Sequence, residues 1–584
     1  MSPPTPTPIL TSTSRVDQHI QQNRPRLIDQ DEASRSASSL EAAMGTSEKE
    51  STTSSIQSQA VEPVTELQDQ TLRLPFPRLI TAYLCLAAIY FISILDINSV
   101  ATALPSIATS LNAGNSITWT GTAYVMGQTA FQPLYGRLSD IFGRKVVLMT
   151  CVGFLIVGDI LCGFAQNVIW LYTCRAFSGI GGGGISSLVQ ITASDLVSLK
   201  DRGKYQGILS SAIGLGASTG PFIAAGIMAN SKDDGWRWIF WVPPILATAS
   251  MAGMWVFLPL KPVTGSWLEK MRKIDWFGLV TVVIGVLFLI IPINSGGSIF
   301  PWNNAVVITL LVLGGTFIIL FCVAEVWVAE LPMIPIRLFN KVSTSVIYLQ
   351  SALYNGVWQI DLYFLPMYFQ DVRGYSPLQN AMLMLPLLLT QSVAGVVAGQ
   401  ITSRFARAGP VIYGGLALWV LGAGLKVLFS QTTPIGVYVT ALIIEGAGVG
   451  FILQPALVAL QALSDPEDRA VATSTRNLMR MLGSVFGLAI ATTVQFQFMK
   501  SGLSDAIPSD IRSRVIQGLW RRGEPGSEMW ESQILDAKLR GVHAVFIMMV
   551  PMMAVCLLGC VFIPNVRLHG DPKTDDEKEK QERN

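Results

Sequence analysis

About fourteen long apolar runs, separated by short polar breaks, constrain this chain more than any other feature of its sequence. They begin near Leu79, Ile117, Val146, Val168, Gly203, Trp236, Ile274, Asn304, Val342, Pro377, Gly409, Pro434, Thr473 and Val542. A helix that crosses a bilayer needs about 20 mostly apolar residues. Buried helices of a soluble protein do not account for so many runs of that length, so the chain is read as an all-α integral membrane protein with about 14 transmembrane helices. Composition agrees: 14% of the residues are charged, against about 25% in an ordinary soluble protein. The seven cysteines mostly lie inside apolar runs and read as small hydrophobes. Three scattered histidines suggest no metal site, and no cofactor is expected. The net charge of +2 points to no nucleic-acid partner.

The ends differ from the middle. Residues 1–78 are rich in Ser, Thr, Gln and Pro and carry too little apolar surface to offset the entropy of ordering, so a disordered tail is expected. Residues 567–584 form a solvated charge run. Lys and Arg fall unevenly in the loops between spans: fifteen in the even-numbered short loops against Lys232, Arg237 and Arg373 in the odd ones. The positive-inside rule then places the even loops and both termini in the cytoplasm.

One even loop holds "GRLSDIFGRK", residues 136–145, between spans two and three. Gly136 and Gly143 permit close backbone approach in a tight inter-helix turn. Asp140 can pair with an arginine or accept from a helix N-terminus, while Arg144 and Lys145 anchor the loop at the surface. Such a cluster suits a latch that breaks during a transport cycle, and exposed pairs worth about 0–1 kcal/mol each would break easily. A weaker copy, "GQITSRFARA" at 399–408, occupies the same place between spans ten and eleven. Parallel repeats of this kind build many secondary transporters. "GIGGGG" (179–184) fits a dinucleotide pattern formally, but it follows no strand and lies in an apolar span, so close packing is the reading. No G-x-x-x-x-G-K-[ST] occurs, which leaves an ion gradient as the energy source.

"GRLSDIFGRK" resembles the cytoplasmic loop motif of the major facilitator superfamily. With fourteen spans, the chain is similar to the drug:proton antiporter branch of fungal efflux pumps. "LDINSVATALP" (95–105), "CRAFSGIGGGG" (174–184), "GLGASTGPFIAAG" (214–226) and "YFLPMYFQDVRGYSPLQ" (363–379) resemble further motifs of that branch. Asn98, Ser178, Ala224–Ala225 and Asn380 depart from its usual residues. The resemblance implies two pseudo-symmetric six-helix bundles, 79–260 and 331–566, joined by a linker with two extra helices at 261–330. A long extracellular loop is expected near 501–541. It also implies proton-coupled efflux of small amphipathic organic compounds such as toxins, drugs or secondary metabolites, by a monomer in the plasma membrane. A vacuolar basic amino acid transporter and a transporter-like nutrient sensor are the alternatives.

Charges inside spans are costly and mark candidate sites. Asp96, Arg175, Asp361 and Glu445 are the candidates for proton coupling and the substrate cavity, with Asp159 ranked below them. The resemblance associates Arg175 with coupling, and Asp96 and Arg175 are expected to share the central cavity. On span five, Ala212, Gly216, Gly220 and Ala224 line one helix face, followed by a bend at Pro221. The resemblance implies that Gly216, Gly220 and Pro221 form the antiporter motif, a seal between the two halves.

Overall fold

In the computed structural model, the described residues are 70, 72, 74–230, 235–296, 301–504, 506–516, 520, 522–565 and 567–568. Most of the 1–78 tail and all of 569–584 lie outside them. Gln70 is buried, however, and the first helix already begins at Phe76.

The first half comprises α1 (Phe76–Ser110), α2 (Trp119–Ala130), α3 (Leu134–Phe142), α4 (Arg144–Gly163), α5 (Val168–Asp195), α6 (Arg202–Asn230) and α7 (Trp236–Phe257). A one-and-a-half-turn surface helix, α8 (Trp267–Arg272), precedes the extra pair α9 (Trp276–Ser295) and α10 (Ala305–Trp327). The second half comprises α11 (Val342–Met367), α12 (Pro377–Phe405), α13 (Gly409–Lys426), α14 (Ile435–Leu463), α15 (Arg469–Gly502), the short α16 (Ser509–Ile516) and α17 (Glu531–Gly559).

Among the described residues, eleven helices are long and apolar enough to span a membrane. The broken pair α2–α3, the glycine-rich α5 and the polar α11 bring the long helical segments to fourteen. Those three carry several of the polar residues that the bundles bury, among them Arg175 and Asp361. The extra pair packs beside α2 and α15, where Met126, Val286, Phe321 and Val485 share one apolar cluster.

The run at 179–184 shows why α5 needs glycine. A Cβ on Gly181 would lie 2.5 Å from Cys151 O of α4, and one on Gly179 would collide with Tyr124 O of α2. Small residues let helices meet backbone to backbone in this way. α5 is thereby wedged between α2 and α4, and that fixes the depth of Arg175.

The two halves close on each other at the end that carries the basic loops. α6 meets α12 there: a Cβ on Gly399 would collide with Gly203 O and lie 3.0 Å from Gly207 Cα. α3 meets α15, with a Cβ on Gly136 placed 2.8 Å from Ala470 O. Arg202 donates to Gln461 at 3.4 Å and Asn477 donates to Ser187 at 2.9 Å across the same seam.

Within 501–541, expected as a loop, the described residues include α16 and the first turns of α17. α17 starts at Glu531, well before Val542, because its first turns bury Ile534 and Leu535 against Leu503, Ile507, Val515 and Trp520.

Candidate functional site

Two buried charge triads lie one in each half. In the first, the Arg175 Nη1 of α5 donates to Asp96 of α1 at 3.1 and 3.0 Å and to Asp159 of α4 at 3.2 Å. Ser178, one turn after Arg175, donates to the same Asp159 oxygen at 2.6 Å. The guanidinium carbon stacks 4.5 Å from the Tyr124 ring and 5.5 Å from the Phe240 ring. Asp96 and Asp159 are completely buried, and among the described residues Asp159 Oδ2 has no hydrogen-bond partner.

In the second, the Lys426 Nζ at the end of α13 bonds Asp361 of α11 and, at 2.7 Å, Glu445 of α14. Trp419 Nε1 donates to the same Glu445 oxygen at 3.0 Å. All three charged groups are inaccessible, and Asp361 Oδ2 and Glu445 Oε2 lack partners. Counted from the start of each half, α1 and α11 are both first spans and each supplies an acid. The third and fourth spans carry opposite signs: acid then base on α4 and α5, base then acid on α13 and α14. Each triad thus sets two carboxylates against one cation.

Asp96 and Arg175 are therefore brought together, as are Asp361 and Glu445, but the four do not form one site. Each pair is enclosed within its own half rather than in a shared central cavity. Asp159, ranked low from sequence, is a full member of the first triad. Lys426, the last residue of α13, was missed; it is followed by Val427, Leu428 and Phe429, so a charge inside an apolar run was the available signal. Arg476 and Arg480 of α15 were also missed; their spacing of four in "TSTRNLMRML" was the available signal.

The loop cluster differs in a way that matters energetically. Asp140, Arg144 and Arg137 are buried, not exposed. Arg144 reaches Asp140 at 2.5 Å, Ser139 at 2.6 Å and Asp195 at 2.9 Å. Gln70 ties the turn down, donating to Ser139 O at 3.0 Å and accepting from Arg144 N at 3.0 Å. Arg137 bonds Pro332 O at 2.9 and 2.7 Å, beyond the extra helices. Gly143 has φ +98°, a backbone conformation that disfavours side chains. Lys145 caps α7 through Trp255 O and Leu258 O at 2.8 and 3.0 Å. Surface-pair energies do not apply here, since removing one partner of a buried pair costs about 3–5 kcal/mol. Asp140→Asn is accordingly expected to lower the melting temperature as well as to depress transport at least tenfold. Thermal unfolding in detergent alongside vesicle transport checks this; unchanged values for both would leave the stretch as a topology signal only.

Gly216 and Gly220 face α1, not the other half. A Cβ on Gly216 would lie 2.8 Å from Phe91 O and one on Gly220 3.0 Å from Leu95 O. Ser99 Oγ donates to Gly220 O at 3.2 Å, just before Pro221. This stripe holds the helix that bears Asp96, while Gly203 and Gly207 form the inter-half seam.

Comparison with known proteins agrees with this architecture. The chain is 39% identical to Citrate exporter 1 of Yarrowia lipolytica over 525 residues, covering 88% of this chain and 78% of that protein. It is 29% identical to Efflux pump FUS6 of Gibberella fujikuroi, over 83% of this chain and 89% of the pump. Its fold matches the solved proton:xylose symporter XylE with a TM-score of 0.56 at 15% identity, covering 85% of this chain and 98% of that one. The human organic anion transporter MFSD10 matches with a TM-score of 0.55 at 15% identity, over 84% of this chain and 100% of that one. The Major Facilitator Superfamily model matches residues 86–488. On that match and these relatives, the chain is a multi-pass membrane transporter that belongs to the Major Facilitator Superfamily, alongside its fungal efflux-pump members.

Proposed function

We propose that the chain is a proton-coupled antiporter that exports small organic compounds, including toxins, drugs or secondary metabolites, across the plasma membrane. The observation that carries this reading is the imbalance within the first triad: two enclosed carboxylates share one guanidinium, and one acid oxygen has no partner. Desolvation disfavours a second negative charge there, so one carboxylate is poised to take up a proton. Its protonation weakens the hold on Arg175 and thus the tie between α1, α4 and α5. Deprotonation restores that tie. With the basic end cytoplasmic, the closed seam corresponds to an outward-facing state that can release substrate and accept a proton from outside. The relatives named as exporters and efflux pumps support the direction of transport.

The test is transport by the purified full-length chain in liposomes under an imposed pH gradient. Separate assays follow a lipophilic cationic dye, citrate and radiolabelled lysine. Gradient-driven movement of the dye or citrate, abolished by a protonophore, is the expected result. Lysine as the only driven solute would favour the vacuolar alternative. Transport indifferent to the gradient for every solute would sink the coupling.

A further inference from the structure

The charges used by neither triad include two arginines on α15, Arg476 buried and Arg480 half-buried. Arg476 is 1% exposed and donates only through Nη2, to Tyr354 at 2.8 Å and to Leu453 O at 2.6 Å. Its Nε is buried without an acceptor. Arg480, one turn on, places Nε and Nη2 on a single oxygen, Asn355 Oδ1, at 3.1 and 3.0 Å. Among the described residues neither guanidinium has a carboxylate partner. Asn355 is held in place by bonds from its own amide to Arg480 O at 2.9 Å and Ser484 Oγ at 2.5 Å. In the opposite half, Gln190 of α5 donates to the Tyr90 hydroxyl of α1 at 3.0 Å.

The position is as telling as the charge. At 1.5 Å per residue, Arg480 stands about 16 Å along α15, Asn355 about 20 Å along α11 and Tyr90 about 21 Å along α1, all measured from the basic end. That is mid-depth, where the halves face each other beyond the glycine seam. Substrate sites of secondary transporters lie at such a place. Two cations at mid-depth held only by neutral acceptors are costly. The cost is offset when an anion joins them, and guanidiniums suit carboxylates because both are planar and pair through two hydrogen bonds.

We infer that Arg476 and Arg480, positioned by Tyr354 and Asn355, form the binding site for a transported organic anion with two or more carboxylates. This rests on the export reading and narrows its substrate class. It also disfavours a basic amino acid as cargo, since two guanidiniums would repel it.

The test uses the purified full-length chain with citrate and succinate as probes, and Asn355→Asp as the decisive variant. N355D keeps the side-chain size and gives Arg480 an internal ion pair. The new carboxylate gives up the amide's bond to Arg480 O, so the melting temperature is read only as a check that the variant folds. The affinity for citrate falls at least tenfold because the site is already neutralised. Arg480→Gln should lose citrate affinity to a similar extent. If the arginines are only structural, N355D binds citrate as the wild type does, and the inference is overturned. It is also overturned if neither anion stabilises the wild type or exchanges across liposomes. Gradient-driven dye export alongside that failure would leave the proposed function standing.

Discussion

Lys426→Met should be the most damaging single change in the second half, lowering stability by about 3–5 kcal/mol. Among the described residues the ammonium is the only cation paired with Asp361 and Glu445, and none of the three groups is accessible to solvent. Without it, two carboxylates remain in a low-dielectric core with two further oxygens already unpartnered. They must both bind protons or pull water into the bundle, and either outcome loosens α11, α13 and α14. The triple variant Lys426→Met, Asp361→Asn, Glu445→Gln removes every charge at once. It should recover most of the loss, because neutral groups of similar volume often replace a buried ion cluster without penalty. Thermal unfolding of the single and triple variants at neutral pH measures both effects. Equal melting temperatures for K426M and the wild type would show that the triad contributes nothing to the fold.

Asp96→Asn should remove nearly all of the transport driven by a pH gradient while sparing substrate exchange at equal pH. The amide still accepts from Arg175, so the packing of α1 on α5 survives. Asp159 also remains beside the guanidinium, now as its sole counter-charge. The triad then balances one against one and no longer has a spare acid to protonate. Gradient-driven flux should fall to the level of empty liposomes, and counterflow of labelled substrate should stay within a few-fold of wild type. A full response to the gradient would move the coupling group elsewhere, with Asp361 or Glu445 next in line.

The sequence revealed the spans because the bilayer imposes one length on every crossing helix. It also revealed the acids and Arg175, since charges inside apolar runs stand out. It did not reveal their partners. Lys426 was passed over, since hydropathy cannot distinguish a helix end at the bilayer surface from one folded back into a bundle. A stripe such as Gly216–Gly220 announces a close neighbour without saying which helix it is. The burial of Asp140 depends on Gln70 and on Pro332, both remote in sequence, so no local pattern could report it. Arg476 and Arg480 lay near an uncertain span boundary, where arginines ordinarily read as surface anchors.

The folded segment between α15 and α17 has a practical consequence. Its apolar cluster draws all its members from the second half, and its outer ties run to that half as well: Lys538 to Asp371 at 3.5 Å and Gln431 to Asp536 at 2.7 Å. It projects on the face away from the basic loops, and these ties fasten it to the second half. A nanobody raised against it would ride on that half and add a rigid fiducial to an otherwise smooth, micelle-wrapped particle. Paired with a label on the first half, it would serve as a pointer whose angle reports each step of the rocking cycle.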